Sequence, residues 1–228
     1  MNPAMWLILL AVSAQTERPA FEVASVKVSK PTNGPLRVTA PDGQGGITYT
    51  NVTLKNCIRR AYGVMQYQIS GGPAWLDTER FVIDAKAASG APHSQLMLML
   101  QSLLEDRFKL ALHHEKREIP AYDLTVAKGG PKLKPAKDEN AMQIDSNAQH
   151  ALIATGVSIQ QLAGALRLDR PIFDATGLTG VYDLTLDYPQ DDPFGIFTSL
   201  QELGLKLEQR KHMVEMLVID GAEKPSDN

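Results

Sequence analysis

The chain has 228 residues, of which 43% are hydrophobic and 21% charged, and a formal net charge of −3. This ordinary globular composition excludes collagen-like and wholly disordered chains. The slightly acidic balance disfavours a nucleic-acid-binding protein, which needs a basic surface. A single cysteine, Cys57, excludes an intramolecular disulfide and any multi-cysteine metal site.

Residues 5–14 form an apolar run that ends in small residues and is followed by polar residues from Gln15 onward. A run of about ten residues is too short for a bilayer, which needs roughly 20, and the pattern is typical of a secretory signal peptide. No Lys or Arg precedes the run, so a buried N-terminal strand or helix is the alternative. We interpret residues 1–14 as a signal peptide cleaved near Ala14. The expected protein is therefore exported, periplasmic or extracellular, without stable membrane insertion after cleavage.

The first predicted α+β repeat covers residues 20–127, with an extra strand at 21–28. Apolar residues at helical spacing after Thr53, a candidate N-cap, predict a helix that ends near Gly63. Ser94 is the predicted N-cap of the longest helix. Alternation of apolar with polar or small residues predicts strands at 81–85, 108–112 and 122–126.

Residues 128–147 are predicted to form a linker or loop that is rich in Lys, Gly and Pro. Four lysines fall within residues 128–137, and such a composition is well solvated and packs poorly. A basic patch for anionic polymers such as teichoic acid or nucleic acid is the alternative. It is disfavoured because the whole chain is acidic and no aromatic residues separate the lysines.

The second predicted repeat covers residues 148–222, and residues 223–228 are a predicted disordered tail. Ser158 and Gln161 form a capping-box pattern in front of an apolar helical stripe. Thr198 and Gln201 repeat that pattern before a short helix predicted to end at Gly204. Further strands are predicted at 181–186 and 216–220.

The elements of the two halves follow one another in the same order, at an offset of roughly 100 residues. The predicted fold is α+β, with two tandem repeats of a strand–helix–strand–strand–helix–strand–strand unit. In such an arrangement helices cover small sheets.

Several motifs resemble a known family. They are ISGGPAWLD at residues 69–77, LLEDRFKL at 103–110, AKGGPK at 127–132 and DATGLTGVYD at 174–183. Together they resemble the Solibacter-type acidobacterial paralogous family of secreted proteins, a domain of unknown function. The resemblance implies a signal peptide, and it implies related domains fused to membrane metallopeptidases of the beta-lactam-sensor type. It implies no catalytic residue. The repeat unit is more faintly similar to the N-terminal signalling modules of secretins and TonB-dependent receptors, which bind other proteins.

The chemistry-bearing residues form no recognisable catalytic motif. His113, His114, Glu115 and Glu118 are the one cluster of metal-capable side chains, but neighbouring strand residues point to opposite faces, which favours a solvated strand surface. There is no H-E-x-x-H pattern and no G-x-S-x-G pattern. We therefore expect no metal, no cofactor and no catalytic site.

The predicted function is that of an exported, non-catalytic binding or interaction protein of unknown ligand, with envelope sensing or signalling as its role. The alternative is a hydrolase or protease-associated domain with a site built from both repeats. Candidate partner-binding residues are Trp75 and Leu76 in loop 71–78 and Leu178 in loop 175–180. We expect these loops to flank a surface near the junction of the repeats, although core packing is the alternative for Trp75. The expected partner is another envelope or exported protein, not a nucleic acid.

Overall fold

The computed structural model describes residues 18–29, 37–39, 45–88, 90–146, 151–188 and 194–225. The predicted signal peptide (residues 1–14) and the end of the predicted tail (226–228) lie outside these ranges. Of the residues that the structure describes, 25% lie in helices and 42% in the strands of several small sheets, which confirms the α+β class. It divides into two units, unit 1 (Met1–His113 with Leu217–Asn228) and unit 2 (His114–Met216).

Helices and strands are interspersed along the described part of the chain. In chain order they are β1 (Val23–Val28), β2 (Arg37–Thr39), β3 (Gly46–Val52), α1 (Leu54–Ala61), β4 (Ile69–Gly71), α2 (Trp75–Thr78), β5 (Phe81–Lys86), α3 (His93–Phe108), β6 (Ala111–Val126), β7 (Lys134–Pro135), β8 (Gln143–Ser146), β9 (Ala151–Val157), α4 (Ile159–Ala165), β10 (Ile172–Asp174), β11 (Tyr182–Asp187), α5 (Gly195–Glu202) and β12 (Leu205–Gly221). In the part of the chain that the structure describes, no helix has the length and apolar character that crossing a membrane requires.

Unit 1 contains a four-stranded antiparallel sheet with the strand order β1-β5-β3-β2. On the central strand β5, Ile83 lies opposite Val26 of β1 and Tyr49 of β3. All three side chains are buried. They lie on the face of the sheet that packs against the core, and alternate residues of each strand point to this same face. Helices α1 and α3 contribute their apolar side chains to the same core.

The predicted start of helix α1 is confirmed. Thr53 Oγ1 accepts a hydrogen bond from the Asn56 backbone N–H at 3.2 Å, which satisfies one of the donors that a helix leaves free at its N-terminus. Gly63, just beyond the helix, has a φ of +63°, the left-handed conformation that favours glycine after a helix.

The prediction for the end of α3 is wrong. Phe108 is the last residue of this helix rather than the first of a strand, and Lys109 follows in the left-handed conformation. Leu100, Leu104 and Phe108 are completely buried, so the four-residue spacing of the helix continues to Phe108, the first residue of the segment predicted as strand. The helix also begins at His93, with Pro92 rather than Ser94 at the N-cap.

The sequence predicts two strands after the second helix of each repeat. The structure has a single long strand there instead. Strand β6 has 16 residues and β12 has 17. Their middle residues are charged and mostly exposed, which resembles a loop in sequence, yet within unit 2 they pair across the strands. Lys211 Nζ, for example, lies 2.8 Å from Glu118 Oε1.

Unit 2 contains a second four-stranded antiparallel sheet, with the strand order β7-β11-β9-β8. Strands β7 and β8 lie inside residues 128–147, so part of the predicted linker belongs to this sheet. The Ser158 and Gln161 capping box is confirmed by reciprocal hydrogen bonds of 2.8 and 3.2 Å. The Thr198 and Gln201 box is wrong, because α5 already begins at Gly195.

Two short strands pair in parallel with the long ones. In unit 1, β4 lies beside β12 with Ile69 opposite Leu217. In unit 2, β10 lies beside β6 with Ile172 opposite Tyr122. Each short strand thus pairs with the long strand from the other half of the sequence.

The order β3-α1-β4-β5-α3-β6 has the same element types as the order β9-α4-β10-β11-α5-β12, apart from the additional short helix α2. The two antiparallel sheets also have corresponding strand orders. One strand, and not the predicted two, follows the second helix in each series. That residues 45–127 and 148–222 are one repeated unit stays a prediction.

Candidate functional site

The two glycines before Trp75 hold strand β4 close to β12. Gly71 and Gly72 have φ angles of +78° and +75°. A Cβ atom on Gly71 would lie 2.6 Å from the Ile219 carbonyl oxygen, and one on Gly72 would lie 2.4 Å from Leu76 Cδ1. The left-handed backbone favours glycine at both positions, and at Gly71 the close approach of the Ile219 backbone requires it as well.

The structure places Trp75 against an aromatic cluster of unit 1. Its half-buried ring lies 6.3 Å from the Phe81 ring and 6.4 Å from the Phe108 ring, between centroids. Leu76 is only 2% exposed and belongs to the core. The assignment of Leu76 to a binding surface therefore has to be corrected, since its side chain already packs against unit 1. A partner contact by Trp75 stays a prediction.

The loop that carries Leu178 is held by its own hydrogen bonds. Asp174 Oδ1 accepts from the Thr176 backbone N–H at 2.9 Å and from its hydroxyl at 2.7 Å. The Leu178 backbone N–H donates to Thr176 Oγ1 at 3.1 Å. The Leu178 side chain is half-buried against the core of unit 2, and its role in binding stays a prediction.

The metal-capable side chains at the start of β6 each have a different partner. His113 Nδ1 lies 2.9 Å from Asp220 Oδ1, and His114 Nδ1 lies 3.3 Å from Glu215 Oε1. Glu115 pairs with Arg117, and Glu118 pairs with Lys211. Among the described residues, no group of three or more His, Cys, Asp or Glu side chains is arranged to hold a metal ion.

Cys57 is buried completely in helix α1, as expected for a small hydrophobic residue. Burial raises the pKa of the Cys57 thiol to about 12. Because the thiolate is the reactive form, Cys57 is chemically inert at neutral pH.

A histidine–carboxylate pair in unit 2 was missed from the sequence. His212 Nε2 on β12 lies 2.6 Å from Asp123 Oδ1 on β6. The Phe173 ring of β10 stacks on the His212 ring, with 4.2 Å between the ring centroids and 14° between the planes. The pair comes from residues 89 positions apart, so only the pairing of the two long strands brings it together.

A groove of about 450 Å³ lies on the outer face of the sheet of unit 2. Alternation along strand β9 builds its floor. Leu152 and Ala154 point into the core, whereas Ile153, on the opposite face, is 41% exposed. Thr185 of β11 lies opposite Ile153, and Leu133 and Leu203 add further apolar surface to the groove.

The carboxylate of Asp183 fixes one wall of this groove. It accepts a hydrogen bond from the Lys137 backbone N–H at 3.1 Å and another from the Gly156 backbone N–H at 3.0 Å. Asp183 thereby ties the segment after β7 to the end of β9. Because the Asp183 carboxylate already accepts these two backbone hydrogen bonds, its role is to stabilise this wall.

Three lysines line the same groove: Lys132, Lys134 and Lys137. All three are exposed, and within the residues that the structure describes none of their ammonium groups has an ion-pair partner. The groove, which we call the lysine groove, thus combines an apolar floor with three available positive charges. Exposed lysines give such a groove a positive potential, which attracts anionic groups. From the sequence alone, these lysines are predicted only to belong to a solvated linker.

A family model described as a protein of unknown function, DUF3738, matches residues 55–222 of the chain. The chain belongs to this DUF3738 family. The matched region contains the whole lysine groove and the Asp123–His212 pair. No curated protein and no solved structure gives a significant match to the chain.

Proposed function

We propose that this DUF3738 protein is a non-catalytic binding protein and that its ligand occupies the lysine groove. One observation carries the proposal. Three exposed lysines without ion-pair partners among the described residues surround an apolar floor in a groove of about 450 Å³. A volume of this size is typical of ligand-binding clefts.

The proposed setting is the cell envelope or the extracellular space, and the proposed partner is another envelope or exported protein, in sensing or signalling. The signal-peptide pattern of residues 5–14 supports export. The resemblance to the Solibacter-type secreted family, and to domains fused to membrane metallopeptidases, supports a role beside other envelope proteins.

A hydrolase or protease-associated domain is the second candidate function. The observation that favours it is the Asp123–His212 pair, because a histidine that a carboxylate orients is the general base of many hydrolases. Such a base also needs a nucleophile or an activated water. In the described part of the chain, the His212 ring contacts Asp123 and the Phe173 ring.

Capture of a partner by matched variants tests the proposed function. Thr185→Trp fills the lysine groove, whereas Thr50→Trp places the same bulk on an exposed position of β3 in unit 1. We expect immobilised wild-type protein and Thr50→Trp to retain the same species from the exported fraction of the producing cells, and Thr185→Trp to lose it.

The retained species should be recovered with an unchanged mass. Equal retention by both variants, or by neither variant nor the wild type, would contradict a binding role of the groove. Recovery of the species in cleaved form, with cleavage abolished by His212→Ala, would favour the hydrolase instead.

A further inference from the structure

We propose that the ligand of the lysine groove is an extended acidic segment of a protein, in which carboxylate side chains alternate with apolar ones. This inference rests on the proposed function and adds the chemistry of the ligand. Three features support it: the positive charge of the groove, its apolar floor and the edge strand of its sheet.

The charge of the groove favours carboxylates over densely charged phosphate polymers. Its cations are the ammonium groups of three lysines, and no arginine is among the described residues that line it. Arginine is the residue that binds phosphate through two parallel hydrogen bonds. Phosphate sites also use clusters of free backbone N–H groups. Here the N–H groups of Lys137 and Gly156 already donate to Asp183, so these two groups are not free to bind a phosphate.

The floor of the groove favours a peptide with apolar side chains. Ile153 is exposed, whereas Leu133 and Leu203 are half-buried against the core of unit 2. The apolar surface that these residues leave in the groove is released from water only if the ligand brings apolar atoms of its own. No aromatic side chain is among the described residues that line the groove. Single-stranded nucleic acids depend on such rings for stacking, so a nucleic acid fits this floor poorly.

The edge of the sheet determines how such a peptide lies. Strand β7 is the edge strand and has only two residues, Lys134 and Pro135. Proline has no N–H to donate, and lysine and proline on an edge disfavour the addition of a further strand. The peptide therefore lies across the face, with its carboxylates near the lysines. The hydroxyls of Thr155 and Thr185 are available there for hydrogen bonds to its backbone.

The test uses a synthetic probe, a fluorescein-labelled peptide of three Glu-Leu-Ser repeats, and measures its binding by fluorescence anisotropy. Matched probes replace Leu with Gly or Glu with Lys, and a labelled single-stranded oligonucleotide and inorganic polyphosphate stand for the other polyanions. We expect the Glu-Leu-Ser probe to bind most tightly and to weaken as salt is raised, since exposed charges are screened.

Variants of the protein locate the binding. Lys132→Gln, Lys134→Gln and Lys137→Gln together should weaken binding of the probe by about tenfold, because each exposed ion pair contributes only a few-fold. The control changes three exposed lysines elsewhere, Lys27→Gln, Lys86→Gln and Lys116→Gln, and removes the same charge. It should leave binding nearly unchanged.

Equal weakening by both triple variants would overturn the assignment to the groove. Tighter binding of the oligonucleotide or polyphosphate than of the peptide would overturn the acidic segment as the ligand. If no probe binds while Thr185→Trp still abolishes partner capture, the ligand chemistry is wrong and the binding function stands. If partner capture is also insensitive to Thr185→Trp, both proposals fail.

Discussion

The antiparallel sheets of the two units have corresponding strand orders and different edges. In unit 1, β1 pairs with β5 over six residues, from Val23 opposite Lys86 to Val28 opposite Phe81. In unit 2, the corresponding strand β7 pairs with β11 at only Tyr182 and Asp183. The rest of β11 has no β7 residue opposite it, and Thr185 there lines the lysine groove. The comparison indicates that the short edge strand leaves the side of β11 beyond Asp183 without a β7 partner, next to residues that line the groove.

Substitutions of the glycines at the end of β4 and after β10 are expected to give the largest difference in stability between the two units. Gly71→Ala should lower the free energy of unfolding by about 2–4 kcal/mol, because a Cβ atom would be strained by the left-handed backbone and would also meet the Ile219 carbonyl. Gly177 also has a positive φ, but a Cβ atom there meets no described atom within 4 Å. Gly177→Ala should therefore cost only about 1 kcal/mol. Urea denaturation measures both, and equal losses would show that β4 is not held tightly against β12.

Trp75→Ala should lower the free energy of unfolding by about 2 kcal/mol, less than the loss expected for a fully buried aromatic residue. The reason is its contact with the Phe81 and Phe108 rings. Phe194→Ala is the control, because Phe194 is 73% exposed, and should cost far less. An unchanged urea midpoint for Trp75→Ala, together with lost partner capture, would instead identify Trp75 as a binding residue.

Asp183→Ala should lower the free energy of unfolding by about 1–2 kcal/mol, since two backbone N–H groups lose their acceptor. It should also release the segment after β7, so amide hydrogen exchange should become faster at Lys137 and Gly156. Asp145→Ala is the control, because the one side-chain contact described for this exposed carboxylate is with Gln143. Unchanged exchange at both amides would show that Asp183 does not hold the wall of the groove.

Alkaline pH should weaken unit 1 before unit 2. Burial raises the pKa of the Cys57 thiol from its ordinary value near 9 to about 12, and burial raises the pKa of Tyr62 to about 12. The unfolded chain loses the Cys57 proton first, so the contribution of Cys57 to stability is complete well below pH 9 and is lost progressively as the pH rises through 9 toward 12. Between pH 8 and about 9.5 the loss from Cys57 is about 1 kcal/mol.

Hydrogen exchange in α1 and β3, compared with β9 and β11, measures this difference between the units. The pH dependence should be smaller in Cys57→Ala, which removes the titrating group. Equal sensitivity of both units to alkaline pH would contradict the assignment of this effect to the core of unit 1.

Features that depend on neighbouring residues were predictable from the sequence. The caps at Thr53 and Ser158 involve partners three residues away, and the alternation in β5 and β11 follows from the two-residue period of a strand. Phe108 was mispredicted because its apolar neighbours fit both a two-residue and a four-residue spacing. Leu104 and Phe108, which are four residues apart, are both completely buried, and this spacing is that of a helix.

The candidate site could not be predicted, because it depends on strand pairing over long distances in sequence. Lys134 and Pro135 have the composition of a linker and become part of a sheet only by pairing with β11. Asp123 and His212 meet through the pairing of two long strands. Leu76 was assigned to a surface because a leucine beside a Gly-Gly-Pro turn does not reveal which way its side chain points.

The most direct measurement for the lysine groove is the change in backbone amide chemical shifts when the Glu-Leu-Ser probe is added to ¹⁵N-labelled protein. The account predicts changes at residues 132–137 and in β9 and β11, around Thr155 and Thr185, and none in β3 and β5 of unit 1. Changes confined to residues 71–78, or no changes at saturating peptide, would contradict the claim that this groove is the binding site.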